Sequence, residues 1–120
     1  MATARYIVRD VEASVTFYKV LGFEVVQQFG PNMAIVRKDD LTLWLAGPNA
    51  SASRPMPDGR QPEPGGWNRF VVETDDIEAL VAKLKAAGVS FRNQIISGPG
   101  GRQTLAEDPS GNVVELFQPA

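Results

Sequence analysis

The sequence predicts an α+β fold built from paired βαβββ modules. Three observations carry that prediction. The same order of strand-like and helix-like segments runs twice through the 120 residues, from Ala4 to Ala46 and from Trp67 to Gln118. Each copy holds one amphipathic helix that starts after an aspartate and stops at a glycine. The remaining segments are short, rich in β-branched and aromatic residues, and separated by Gly, Pro, Asn and Asp.

The first copy opens with an alternating strand from Arg5 to Arg9. Asp10 then caps a helix whose apolar stripe is Val11, Val15, Tyr18 and Leu21, with Phe17 beside it and Gly22 as its stop. Three strands follow: Phe23 to Phe29, broken by Gly30-Pro31-Asn32; Met33 to Lys38, broken by Asp39-Asp40; and Leu41 to Ala46. Residues 47–66 carry five prolines and four glycines, which disfavours both ladder and helix and predicts a linker or a lid. The Asn49-Ala50-Ser51 sequon has meaning only for a secreted chain.

The second copy begins with a strand over Trp67 to Thr74. Asp75 and Glu78 form a D-x-x-E capping pattern before a helix with the stripe Ile77, Leu80, Val81 and Leu84, closed by Gly88. Strands are predicted near Val89 to Ile96, Arg102 to Glu107 and Asn112 to Phe117. Asp108-Pro109-Ser110-Gly111 fits a type I turn between the last two. Gly98 to Gly101 lacks a phosphate loop's G-K-[ST] ending and leads into a strand, so it reads as a hairpin turn. The domain organisation expected is one domain over 1–120, with modules at 1–46 and 67–120 joined by 47–66.

Composition narrows the chemistry. Lys and Arg number 12 against 14 Asp and Glu, with no basic stripe, so nucleic acid is not an expected partner. No segment approaches membrane-spanning length and the start lacks a leader pattern, so neither membrane nor secretion is expected, and a cytoplasmic location is. There is no Cys and no His. That removes thiolate nucleophiles, the usual general base and the commonest metal ligand together.

The doubled βαβββ order, the segment Asp10-x-x-x-Ser14-x-x-Phe17-Tyr18-x-x-Leu21-Gly22-Phe23 and the ending Glu107-Asp108-Pro109-Ser110-Gly111-Asn112-Val113-Val114-Glu115-Leu116 resemble the vicinal oxygen chelate superfamily. That superfamily includes glyoxalase I, extradiol dioxygenases, fosfomycin resistance enzymes and bleomycin resistance proteins. The resemblance implies a curved mixed sheet, the glyoxalase/bleomycin resistance fold, with metal ligands on the first and last strands of the paired modules. Counting back from the helix caps puts the first-strand positions at Thr3 and Arg69, and matching the last strands puts the others at Trp44 and Glu115. Glu115 alone has a ligand's chemistry. Indole offers no lone pair and guanidinium carries a permanent positive charge.

The resemblance is therefore to the metal-free, drug-binding branch, and no metal, cofactor or catalytic residue is expected. An ion pair between Arg69 and Glu115 is expected where relatives hold the metal. Trp44 is a candidate stacking face opposite the leucines of its strand, extended by Trp67 and Phe117; Arg69, Glu115, Thr3, Phe29 and Met33 complete the candidate ligand-binding set. The implied activity is binding of an aromatic or glycosylated antibiotic without turnover, by a protein that forms homodimers. The alternative is a metal-dependent lyase, isomerase or dioxygenase with a displaced site built from Glu115, Glu73 or Glu107.

Overall fold

The computed structural model describes residues 2–120. Strand β1 (Ala4–Ile7) leads into helix α1 (Val11–Val20), then β2 (Glu24–Phe29), β3 (Met33–Lys38) and β4 (Leu41–Ala46). After a 3₁₀ turn at Ser51–Ser53 come β5 (Phe70–Glu73), α2 (Ile77–Ala86), β6 (Ser90–Phe91), β7 (Ile96–Gly98), β8 (Gly101–Glu107) and β9 (Val113–Pro119). The strands form two mixed sheets, in orders β1-β4-β3-β2 and β5-β9-β8-β6, with β7 also on β8. In each, the strand before the helix pairs in parallel with the last strand.

The same local chemistry ends both helices. At the first, Gly22 has φ of +107° and its N–H donates to Lys19 O, while Phe23 N donates to Tyr18 O. At the second, Gly88 has φ of +84°, with Gly88 N donating to Lys85 O and Val89 N to Leu84 O. Each pair satisfies carbonyls the helix leaves open, and the left-handed position favours glycine. The starts match as well, with one correction. Asp10 accepts from Ala13 N at 3.1 Å, but the second cap is Asp76, not Asp75: it accepts from Ala79 N at 3.0 Å.

Three strands differ from expectation. The opening strand is Ala4–Ile7 rather than Arg5 to Arg9, because Arg9 leaves the ladder to bind Ser110, its N–H donating to Oγ at 2.8 Å and Nη1 to the carbonyl at 2.7 Å. The strand expected over Trp67 to Thr74 pairs only over Phe70–Glu73, since Arg92 Nη1 binds the Gly66 carbonyl and Arg69 Nη1 that of Trp67. The Val89 to Ile96 strand is interrupted where the Asn93 side chain caps Thr104 Oγ1 and Leu105 N. The Gly98–Gly101 hairpin turn forms as predicted. A Cβ on Gly101 would collide with the Gln118 carbonyl.

One face of each sheet is buried under its helix. Leu43, Leu45, Ala34 and Val36 pack with Val11, Val15 and Tyr18, while Val72, Val114 and Leu116 pack with Ile77 and Leu84, all in one cluster. Burying each such aliphatic side chain is worth about 1.5–3 kcal/mol. The halves are unequal here: α1 buries Val11, Ser14, Val15, Phe17 and Tyr18, but α2 buries only Ile77 and Leu84. Tyr18 is the hub, with Phe17 and Phe23 edge-on at 4.8 and 5.4 Å and Phe70 tilted at 6.4 Å.

A polar seam joins the halves. Asp108 is buried in the turn that links β8 and β9, and its carboxylate accepts from Tyr18 Oη, Ser110 N, Asn112 N and Asn112 Nδ2 at 2.9–3.0 Å. Gly111 N donates to the Asp108 carbonyl, closing the turn. Four donors offset the cost of burying the acid. Asn112 Nδ2 also reaches the Ile7 carbonyl at 2.8 Å, and Tyr6 Oη reaches that of Val113 at 2.8 Å. Burial pushes the Tyr6 phenol up to about 12 and the Tyr18 phenol higher than its ordinary value, the charge of Asp108 adding to both. Both are therefore protonated donors at neutral pH.

Candidate functional site

Alternation along the strands leaves each sheet a second face, turned away from its helix. Register makes the two faces comparable residue by residue. Arg5 lies beside Trp44 in the β1–β4 ladder, and Val71 beside Glu115 in the β5–β9 ladder. Trp44 and Glu115 thus occupy equivalent places. So do Thr3 and Arg69, each two residues before those partners on the edge strand.

On the second sheet the expected ion pair forms. Arg69 donates from Nε and Nη2 to Glu115 Oε1 at 3.0 and 2.8 Å, and from Nη1 to the Trp67 carbonyl at 3.2 Å. The side chains keep 29% and 12% of their exposure, so the pair is partly screened. Glu107, the last residue of β8, is held by Arg92 Nε at 2.9 Å. Arg92 also stands over the Trp67 ring at 4.5 Å and binds the Gly66 and Gly111 carbonyls. Trp67 is 67% exposed. Phe117 is half-buried and borders a hollow of about 180 Å³ lined also by Ile96, Gln103 and the Gly98–Gly101 turn.

The first sheet is arranged differently. The guanidinium of Arg5 stands 4.9 Å from the Trp44 ring centroid. Ile35 lies on the other side of Trp44 in the ladder, and Met33 faces Phe29 across β2–β3. Met33, Ile35 and Trp44 are half-buried, and Phe29 is 48% exposed. Thr3 is exposed just before β1. This face is an apolar, aromatic platform with one arginine stacked on it.

The structure thus gathers the sequence-predicted residues into two groups on separate sheets. Thr3, Phe29, Met33 and Trp44 belong to the first, and Trp67, Arg69, Glu115 and Phe117 to the second. Arg5 and Ile35 are additions to the first group. Both were readable from alternation once Trp44 was chosen and the β1–β4 pairing known. Arg92 is an addition to the second, for which its sequence neighbourhood carries no signal. A separate cavity of about 440 Å³ lies between α1 and the turns after α2 and β8, bordered by Phe17, Val20, Val89 and Pro109. None of the predicted ligand-binding residues lines it.

The four positions do not suit a metal ion. Glu115, the one ligand-type side chain, spends Oε1 on a guanidinium 2.8 Å away, and that fixed positive charge opposes a cation at the same place. Trp44 and Thr3 supply no anionic or imidazole donor. Among the described residues no three or more His, Cys, Asp or Glu side chains converge.

Comparison with known proteins agrees with the fold. A lactoylglutathione lyase from Agrobacterium tumefaciens superposes with a TM-score of 0.74 at 22% identity, over 98% of this chain and 92% of that one. TnmS3, an antibiotic binding protein from Streptomyces sp. CB03234, gives 0.67 at 26% identity, over 100% and 97%. A bleomycin-binding protein solved with bleomycin gives 0.66 at 21% identity, over 100% and 98%. No curated protein matches in sequence. The Glyoxalase/Bleomycin resistance protein/Dioxygenase superfamily matches residues 1–116, and the chain belongs to that superfamily.

Proposed function

We propose that this protein binds an aromatic or glycosylated natural product of the antibiotic kind and holds it without turnover, conferring resistance by sequestration. The Arg69–Glu115 ion pair carries the reading. A guanidinium is paired with the one carboxylate a metal would need, and its fixed positive charge opposes a cation there. Trp44 at the equivalent place offers a rigid ring for stacking, with Met33, Phe29 and Thr3 around it, and Trp67 and Phe117 extend apolar surface on the other sheet. Neighbours that bind bleomycin or another antibiotic give the reading precedent in the same fold.

Two further features belong to the proposal. The exposed apolar residues Val26, Phe29, Val71 and Ile96 are what a second copy would cover, so the working form is a homodimer that closes the cleft. The 47–66 segment then joins two modules of one domain as a linker at the cleft. Its ends are tied, Gly47 N to the Asn32 carbonyl and Gly65 N to Asn112 Oδ1 at 2.8 Å. No helix among the described residues is long and apolar enough to cross a membrane, and we place the protein in the cytoplasm.

The test is quenching of tryptophan fluorescence by a panel of aromatic antibiotics, with Trp44→Ala alongside. Saturable quenching that weakens roughly 5- to 30-fold in the variant is expected, the equivalent of about 1–2 kcal/mol of lost stacking. Stoichiometric divalent metal in untreated protein, removable with loss of turnover, would replace sequestration with enzyme chemistry.

A further inference from the structure

Each sheet has an arginine on its open face, Arg5 in β1 and Arg69 just before β5, but only one of the two is neutralised. Arg69 gives Nε and Nη2 to Glu115 and Nη1 to a carbonyl, so its charge is neutralised and its fork is engaged. Arg92, on the same sheet, is likewise paired with Glu107. Arg5 enters no ion pair among the described residues, and its contact is the Trp44 ring. An arginine stacked on an aromatic ring is restrained in place while the N–H edge of its guanidinium stays available. Arg37 lies on the same face, two residues along β3 from Ile35, and it too forms no ion pair among the described residues. The acid facing them is Glu24, opposite Arg37 in the β2–β3 ladder. The first sheet's open face thus sets two cations against one anion around an indole. The second sets Arg69 against Glu115, Arg92 against Glu107, and leaves Glu73 over.

We infer that Arg5 and Trp44 form a recognition element for a planar ligand bearing an anionic oxygen group, a carboxylate or an ionised phenol. The inference rests on the binding reading above and adds the charge of the ligand to it. The ring system lies against Ile35, Met33 and the part of Trp44 that Arg5 leaves open, and the anionic oxygens meet the free guanidinium edge, which matches a carboxylate in two-point geometry. The second sheet cannot substitute, because its guanidinium groups already hold carboxylates. Equivalent polycationic ligands are disfavoured by Arg5 and Arg37 together.

Three probes that share one ring system separate charge from stacking: pyrenecarboxylate, pyrenemethanol and pyrenemethylamine, each titrated calorimetrically into the 120-residue protein. The expected order is carboxylate tightest by about tenfold over the alcohol, and the amine weakest. Arg5→Gln removes most of the carboxylate's advantage over the alcohol, while Arg5→Lys retains part of it. Equal affinity for carboxylate and alcohol, or an Arg5→Gln loss equal for both, overturns the charge preference and leaves the binding reading standing. Failure of all three to bind overturns both.

Discussion

Set side by side, Trp44 and Glu115 hold the same place in two ladders and face opposite chemical problems. Beside Trp44 an arginine rests on a ring; near Glu115 an arginine is locked to a carboxylate. The faces beneath them do not diverge in this way. Leu45 and Leu116, each one residue on, are fully buried against the helices. The duplication kept what folding needs on the inner faces. It was free to change the outer ones, where burial does not dictate residue type.

The largest effect that bears on this comparison is in the shared inner layer. Leu45→Ala and Leu116→Ala are each expected to cost about 2–5 kcal/mol by urea unfolding, with the two values similar. A large inequality would mean that the halves are not equivalent supports. The next tests the seam: Tyr18→Phe removes one of four donors to buried Asp108 and should cost about 1–3 kcal/mol, more than Tyr6→Phe, whose hydroxyl serves a carbonyl.

The outer faces then separate. Arg69→Ala leaves Glu115 without its cation and should cost about 1–2 kcal/mol, between the limits for exposed and buried pairs. Arg5→Ala should cost under about 1 kcal/mol, because a stacked arginine at the surface contributes little to folding. If the order is reversed, Arg5 is structural and the contrast drawn here between a folding pair and a binding pair fails.

Alkaline pH probes the polar seam without a substitution. The Tyr6 phenol is pushed up to about 12 by burial and Tyr18 moves the same way. The folded state therefore holds these protons more tightly than the unfolded chain. The stability they contribute is complete below pH of about 10 and is lost as pH rises through about 12. Denaturation midpoints measured across that window should fall, and less so in Tyr6→Phe.

Much of this was legible in sequence because it is written in local rules. Helix stops at Gly22 and Gly88, the Asp108 turn and the strands β3 and β4 follow from turn chemistry and periodicity. The Arg69–Glu115 pair was legible from alternation combined with a family resemblance. Other features depend on contacts distant in sequence. Asp75 and Asp76 offer the same cap, and only backbone direction selects Asp76. Arg9 and Arg92 cut strands short by binding carbonyls in the other half or across the loop. Arg5 is not legible from the helix cap, because that count points to Thr3, two residues away, whereas the parallel register sets Arg5 itself beside Trp44.

We propose that ligand recognition centres on the Trp44 face and not on Glu115 or on the cavity between α1 and the turns after α2. Backbone and indole NMR shifts during titration with pyrenecarboxylate test it most directly, with Trp67→Phe to assign the two indole signals. The largest changes are expected at the Trp44 indole N–H and at Arg5, Met33 and Ile35. Changes centred on Phe17, Val20 and Val89, with the Trp44 signal unmoved, would contradict it.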